Sequence, residues 1–116
     1  IVATAQRLPV TLRFSTGLDL FDSRGRQDLE RLSAYLQLPE NSRRRVVLMG
    51  FANPQPASPM QSLFLSQERA DYVSSELLAL NMKVVTVRGF GGRMNLVDAS
   101  QPAARYRNDR VEVWLR

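Results

Sequence analysis

The fold is decided by one segment of the sequence, Leu65-Ser66-Gln67-Glu68-Arg69-Ala70-Asp71-Tyr72-Val73. At about 100° per residue, Leu65 and Val73 fall on one side of a helix, in line with Leu77. Arg69 is four residues from Leu65 and four from Val73, so its charge falls inside the apolar stripe. Such an arginine must extend to the surface, pair with an acid or hold an anionic ligand. The segment therefore predicts an amphipathic helix with a structural ion pair or a ligand site at Arg69.

Length and composition limit the classes of protein to consider. The chain has 116 residues, of which 44% are hydrophobic and 23% charged, as expected for one globular domain. No apolar run approaches the roughly 18 residues of a membrane span. The sequence contains neither Cys nor His. Their absence excludes thiol nucleophiles, disulfides, Ser-His triads and the usual zinc ligand sets. No carboxylate is paired at a readable spacing with a base, so we expect a protein that is not an enzyme and needs no cofactor or metal.

The chain is basic, with a net charge of +5. Its densest positive run is Arg43-Arg44-Arg45, which follows a turn and precedes a strand pattern. A triplet without interleaved aromatic residues is typical of a solvated turn and is a weak nucleic-acid signal. Nucleic acid is therefore not the expected partner, although a positive surface also suits anionic polymers or lipids.

The periodicity predicts alternating strands and helices. Period-two or continuous apolar runs predict four strands, at Pro9 to Phe14, Val46 to Phe51, Val84 to Arg88 and Arg110 to Leu115. One helix is predicted from a cap at Asp22 or Ser23 through about Gln37, and a second from Pro59 to Leu80 with Ser58 as its N-cap. The residues from Met94 to Arg107 form a long connection, with one short helical turn at Pro102 to Ala104. The element order β-α-β-α-β-β indicates a two-layer α/β (α+β) sandwich with a single domain over residues 1–116.

Four motifs in register resemble those of the OmpA-like C-terminal domain, a family of peptidoglycan-associating domains. The match runs from about Leu12 to the C-terminus. The helix segment resembles L-S-x-x-R-A-x-x-V of that family, and the other three motifs are Phe14-Ser15-Thr16-Gly17, Val87-Arg88-Gly89-Phe90-Gly91 and Asn108-Asp109-Arg110-Val111-Glu112-Val113. The resemblance implies a mixed four-stranded sheet in the order 1-4-2-3, with the last strand antiparallel to the others.

The resemblance also implies a binding site near the end of the second strand. In the family, an aspartate takes the ammonium group of diaminopimelate in the peptidoglycan stem peptide, and the helix arginine takes its carboxylate. Carried onto this sequence, the ligand-binding residues for peptidoglycan or another anion are those that match the motifs or lie beside them: Ala52, Asn53, Ser62, Arg69, Asn108 and Arg110.

Several of these positions depart from the family pattern. Ala52-Asn53 stands where the family has Thr-Asp, Ser15 and Ser62 replace an aspartate and an asparagine, and Asp109 replaces an arginine. We expect the loss of the acid at Asn53 to leave Arg69 without a counter-charge, so that a sulfate or phosphate ion could bind there. The loss is also expected to weaken diaminopimelate binding about tenfold, which Asn53→Asp should restore without unfolding the chain.

Two functions follow from the resemblance. The first is a non-catalytic, periplasmic cell-envelope domain that associates weakly with peptidoglycan. The alternative is an OmpA-like fold that has lost peptidoglycan binding and serves as a structural or protein-interaction domain, attached for example to a solute-binding domain. We expect the chain to be one domain of a longer Gram-negative envelope protein of the outer membrane or periplasm.

Overall fold

A computed structural model describes residues 6–15, 18, 21–53, 58–82, 84–92 and 108–116 of the chain. Its strands are β1 (Gln6–Arg13), β2 (Val46–Gly50), β3 (Val84–Gly89) and β4 (Arg110–Leu115). Its helices are α1 (Gly25–Leu36) and α2 (Pro59–Ala79), with a short 3₁₀ helix at Pro39–Asn41. The predicted short helical turn at Pro102 to Ala104, and the connection around it, lie outside the described residues.

The four strands form one mixed sheet in the order β1-β4-β2-β3. β4 runs antiparallel to both β1 and β2, and β2 pairs with β3 in parallel. The strand order and the orientation of the last strand are therefore as predicted from the resemblance. The β1–β4 register shifts between Arg7 and Thr11, around Pro9, which has no N–H to donate to a ladder.

β2 is central and buried on both faces, as its continuous apolar run predicted. Val46 and Val47 point to opposite faces of the sheet, and each is only 4% exposed. On the helix side, side chains of the sheet pack against α1 and α2 in one core, which includes Leu12, Leu29, Leu32, Leu48, Val73, Leu77, Val111 and Val113. Both helices therefore lie on one face of the sheet, and α2 crosses the end of β2.

A glycine in β2 sets the distance between the sheet and α2. A Cβ atom at Gly50 would lie 2.0 Å from the main-chain oxygen of Ser66, well inside van der Waals contact. Only glycine permits this approach of the two backbones. Because Arg69 is one turn further along α2, the close approach places its guanidinium over the last residues of β2.

The start of α1 and the capping of α2 differ from the sequence predictions. α1 begins at Gly25 with Arg24 in the capping position and no side-chain cap, whereas Asp22 or Ser23 was predicted. Asp22 instead accepts a hydrogen bond from the Arg24 N–H through Oδ1 at 2.9 Å, which forms a turn before the helix. Ser58 does precede α2, with Pro59 at the first helical position, but its hydroxyl makes no capping bond.

Candidate functional site

Three parts of the chain meet at the carboxyl end of β2. The Phe51 N–H donates to the Arg110 carbonyl at 2.8 Å, so the residues after β2 lie beside the residues that open β4. α2 crosses above them and contributes Arg69 from its third turn. Ser62, in the first turn of α2, donates through Oγ to the Asn53 carbonyl at 2.8 Å. The family resemblance predicted a site at this end of the sheet.

Arg69 is fully buried, and its guanidinium is held by protein acceptors. Nη1 lies 2.7 Å from Asp109 Oδ1 and donates to the Phe51 carbonyl at 2.9 Å. Nε donates to the Leu18 carbonyl at 2.8 Å and Nη2 to the Ser15 carbonyl at 3.1 Å. The arginine therefore ties the segment after β1 to the end of β2 and the start of β4. Of the fates considered for Arg69, pairing with an acid is the one observed.

Asp109 continues the network to two asparagines. Its Oδ2 accepts from Asn53 Nδ2 at 2.7 Å, and Asn53 Oδ1 accepts from Asn108 Nδ2 at 2.9 Å. Asp109 is 1% exposed, Asn53 4% and Asn108 0%. Both oxygens of the carboxylate are therefore engaged, one by a charge and one by an amide, inside a closed polar cluster.

The expectation that Arg69 lacks a counter-charge was wrong. The acid missing from position 53 is supplied by Asp109, which stands where the family motif has an arginine. Because Arg69 already has a counter-charge, a sulfate or phosphate ion could bind to it only by displacing Asp109. Anion binding at Arg69 therefore stays a prediction. Because Arg69 is 0% exposed and paired with Asp109, we expect its replacement by alanine to destabilise the fold as well as the site.

Asp109 is the functional candidate that sequence reasoning missed. The sequence shows two departures from the family pattern, an amide in place of an acid at Asn53 and an acid in place of an arginine at Asp109, and only the first was given a consequence for the site. One change removes a carboxylate and the other adds one. This complementarity was the available signal, because together the two changes keep one carboxylate beside one guanidinium. Only the 2.7 Å contacts reveal that the two positions are neighbours.

Ala52 and Arg110 have other surroundings. Ala52 is 1% exposed and donates its backbone N–H to the Gly91 carbonyl at 2.9 Å, which holds the β2 end against the turn after β3. The Arg110 guanidinium lies over the Phe51 ring, 3.9 Å from its centroid, and donates through Nε and Nη2 to Glu112 Oε2 at 2.9 Å each. Burial lowers the pKa of Arg110 from its ordinary value, and the bonds to Glu112 oppose that shift. Arg110 therefore contacts Phe51 and Glu112, and it lies on the face of β4 opposite the one that packs against the helices.

The family model for the OmpA family matches residues 13–109. The chain belongs to the OmpA family. A search against curated proteins returned no match. The OmpA fold explains why the motifs after β1, in α2, at the end of β3 and at the start of β4 converge at one end of the sheet, although they are far apart along the chain.

Solved structures share this fold at low sequence identity. The peptidoglycan-associated lipoprotein of Burkholderia pseudomallei is 17% identical with a TM-score of 0.78, covering 96% of this chain and 91% of that one. The OmpA-like domain of FopA1 from Francisella tularensis is 22% identical with a TM-score of 0.74, covering 91% and 72%. A periplasmic domain of Helicobacter pylori MotB is 20% identical with a TM-score of 0.72, covering 96% and 72%.

The part of the chain that the structure describes has neither a cluster of metal-ligating side chains nor a helix suited to a membrane. Within that part, no three His, Cys, Asp or Glu side chains are grouped in a way that could hold a metal ion. Neither α1 nor α2 combines the length and apolar character needed to cross a bilayer. OmpA-like domains are in general structural or binding modules rather than enzymes, and the cluster described above consists of an ion pair and amides. The chemistry it offers is recognition of charge.

Proposed function

We propose that this domain is a non-catalytic module of the cell envelope that associates with peptidoglycan through the diaminopimelate of the stem peptide. Family membership and the fold shared with a peptidoglycan-associated lipoprotein support the wall as partner. The observation that carries the proposal is the 2.7 Å contact between Arg69 and Asp109. Diaminopimelate ends in an ammonium and a carboxylate on one carbon, and a guanidinium beside a carboxylate is complementary to that pair.

Recognition in this proposal is an exchange of ion pairs. The ligand carboxylate takes the place of Asp109 on Nη1 of Arg69, and Asp109 turns to the ligand ammonium. Asn53 and Asn108, joined at 2.9 Å, belong to the same buried cluster and keep amide groups beside the carboxylate that exchanges. One buried pair is replaced by two charge-assisted contacts, while the carbonyls of the protein continue to hold the guanidinium in position.

The exchange explains why we expect weak binding. Separating the Arg69–Asp109 pair removes a charged contact between side chains that are 0% and 1% exposed. Breaking buried pairs of this kind costs about 3–5 kcal/mol, part of which the ligand returns through its own charges. A shortfall of about 1.4 kcal/mol between this cost and the free energy of the ligand contacts lowers the affinity about tenfold, relative to a site that Asp109 does not occupy. The expected weakening therefore has a different cause from the one inferred from the sequence, since it comes from closure by Asp109.

The second candidate is the OmpA-like fold without wall binding, acting as a structural or protein-interaction domain. The observation that favours it is the saturation of Arg69, which has one carboxylate and three backbone carbonyls as partners. A guanidinium occupied in this way stabilises the fold without any ligand. In this case Asp109 is a permanent substitute for the ligand carboxylate.

We infer a periplasmic location for either candidate. The support is the family itself and the fold shared with the periplasmic domain of MotB. The setting is then the periplasm of a Gram-negative envelope.

A pair of ligands tests the proposal without altering the protein. Isothermal titration would compare a stem peptide ending in diaminopimelate with the same peptide carrying lysine, which has the ammonium group but lacks the second carboxylate. The proposal predicts binding of the diaminopimelate peptide at least tenfold tighter than the lysine peptide. Equal affinities would refute recognition by Arg69. Absence of binding to both, in a folded protein, would favour the second candidate.

A further inference from the structure

The end of the molecule opposite the Arg69 cluster carries a concentration of arginines. Arg43 and Arg45 are exposed in the turn that leads into β2, and Arg116 is exposed after β4. Arg44 donates through Nε to the main-chain oxygen of Arg116 at 3.2 Å and through Nη2 to Gln6 Oε1 at 3.3 Å. Neither partner is a side-chain carboxylate, so Arg44 is held in place without neutralisation by an acidic side chain.

Two of these arginines face each other directly. The N–H of Arg45 donates to the Arg116 carbonyl at 3.2 Å, and the N–H of Arg116 donates to the Arg45 carbonyl at 3.0 Å. Residues in such an antiparallel pair have Cβ atoms about 5 Å apart, and like charges there repel. Among the ion pairs of the described residues, none involves Arg43, Arg44, Arg45 or Arg116. A negatively charged partner would relieve this repulsion.

Exposed aliphatic side chains lie at the same end. Leu38, just after α1, is 39% exposed, and Leu78 and Leu80, at the end of α2, are 69% and 41% exposed. A pocket of about 440 Å³ connects the two helix ends with the basic turn, since its lining includes both Arg44 and Met82. Basic side chains beside exposed aliphatic ones are typical of surfaces that rest on a bilayer. A nucleic-acid site needs the charges and aromatic stacking but gains nothing from exposed leucines.

We propose that this basic and apolar end, formed by Arg43, Arg44, Arg45, Arg116, Leu38, Leu78 and Leu80, docks on the anionic phospholipid headgroups of a membrane. The guanidinium groups contact lipid phosphates, and the leucines enter the interface. β2 spans five residues at about 3.3 Å each, so roughly 17 Å of sheet separates this end from the Arg69 cluster. Docking therefore leaves the proposed peptidoglycan site facing away from the membrane. The inference does not depend on that site.

Vesicle sedimentation tests the charge component. The purified domain is mixed at low salt with phosphatidylcholine vesicles, with or without about one-third phosphatidylglycerol. We expect sedimentation only with the anionic vesicles, declining as salt is added. Each basic residue near such a surface contributes about 1 kcal/mol, or about fivefold, so Arg43→Gln/Arg45→Gln should weaken partitioning about twenty-five-fold. The matched control Arg24→Gln/Arg88→Gln removes two exposed arginines elsewhere and should change partitioning by less than about threefold.

A second pair of variants tests the apolar component. Leu78→Ser removes the most exposed leucine of the docking end, and Phe64→Ser removes a comparably exposed side chain, 61% against 69%, near the other end of α2. We expect partitioning to fall several-fold for Leu78→Ser and to be unchanged for Phe64→Ser. The proposal is overturned if the domain ignores anionic vesicles. It is also overturned if the control variants lose as much, or if an oligonucleotide binds through Arg43 and Arg45 when vesicles do not.

Discussion

Replacing Asp109 with asparagine removes the charge opposite Arg69 while nearly preserving the shape of the side chain. Arg69 and Asp109 are 0% and 1% exposed and 2.7 Å apart, so water cannot compensate the guanidinium that remains. The asparagine also presents an NH₂ group to Asn53 Nδ2, which now donates to the carboxylate at 2.7 Å. Removing one partner of a buried pair costs about 3–5 kcal/mol. For a domain with about 5–15 kcal/mol of stability, that is a large fraction of the total.

Urea unfolding followed by circular dichroism measures this cost, and a double-mutant cycle isolates its cause. Arg69→Met alone leaves the Asp109 charge buried, whereas Arg69→Met/Asp109→Asn removes both charges. We expect the double variant to be at least about 1 kcal/mol more stable than the sum of the two single effects implies. If Asp109→Asn costs less than about 1 kcal/mol, as for an exposed pair, the ion pair is not the buried tie between β4 and α2 described above.

Three further predictions concern stability. The sequence alone suggested that Asn53→Asp strengthens wall binding. In the structure the new carboxylate would lie against Asp109, so we expect the variant to lose about 1–3 kcal/mol of unfolding free energy and to bind the wall no more tightly. A variant that binds more tightly and is equally stable would contradict this. Gly50→Ala should cost about 3 kcal/mol in urea unfolding, since its Cβ meets the α2 backbone at 2.0 Å, and a cost below 0.5 kcal/mol would contradict the close approach. A hydrogen bond from Arg26, and to a lesser extent one from Tyr72, lowers the pKa of Glu76 from its ordinary value of 4.5. Glu76→Gln should therefore reduce the free energy of unfolding by about 0.3–1 kcal/mol at pH 7, as for a partly exposed pair, and this difference from the wild type should disappear as the pH falls below 4.5. A difference that is unchanged at pH 3 would contradict the prediction.

The sheet could be predicted from the sequence because its signals are local and redundant. The continuous apolar run of β2 indicates burial on both faces. The alternation in β4 identifies the residues that face the helices, although it does not indicate that Arg110 and Glu112 on the other face are buried as well. The motif around Arg69 then assigns the family, and with it the strand order. The start of α1 was predicted less well than that of α2, because Asp22 can accept a hydrogen bond either within a helix cap or within the preceding turn.

The contacts of the site could not be predicted, because they join residues distant in sequence. Arg69 and Asp109 are 40 residues apart, and Asn53 and Asp109 are 56 apart. From the sequence alone, the changes at Asn53 and Asp109 were interpreted separately. An acid that had moved from position 53 to position 109 was therefore interpreted as missing. The helical periodicity placed Arg69 inside the apolar stripe, but it left open whether the side chain reaches the surface; only the structure shows that it is 0% exposed.

The measurement that tests the central claim most directly is a nuclear magnetic resonance titration that follows the Nε–H signal of Arg69. The ligand is a stem peptide bearing diaminopimelate, and the side-chain amide signals of Asn53 and Asn108 are followed in parallel. Exchange of Asp109 for the ligand carboxylate predicts that all three signals shift together and saturate with the same affinity, while the lysine peptide leaves them in place. If wall peptide binds while the Arg69 signal stays unmoved, or if saturating peptide moves none of the three, the ion-pair exchange is contradicted.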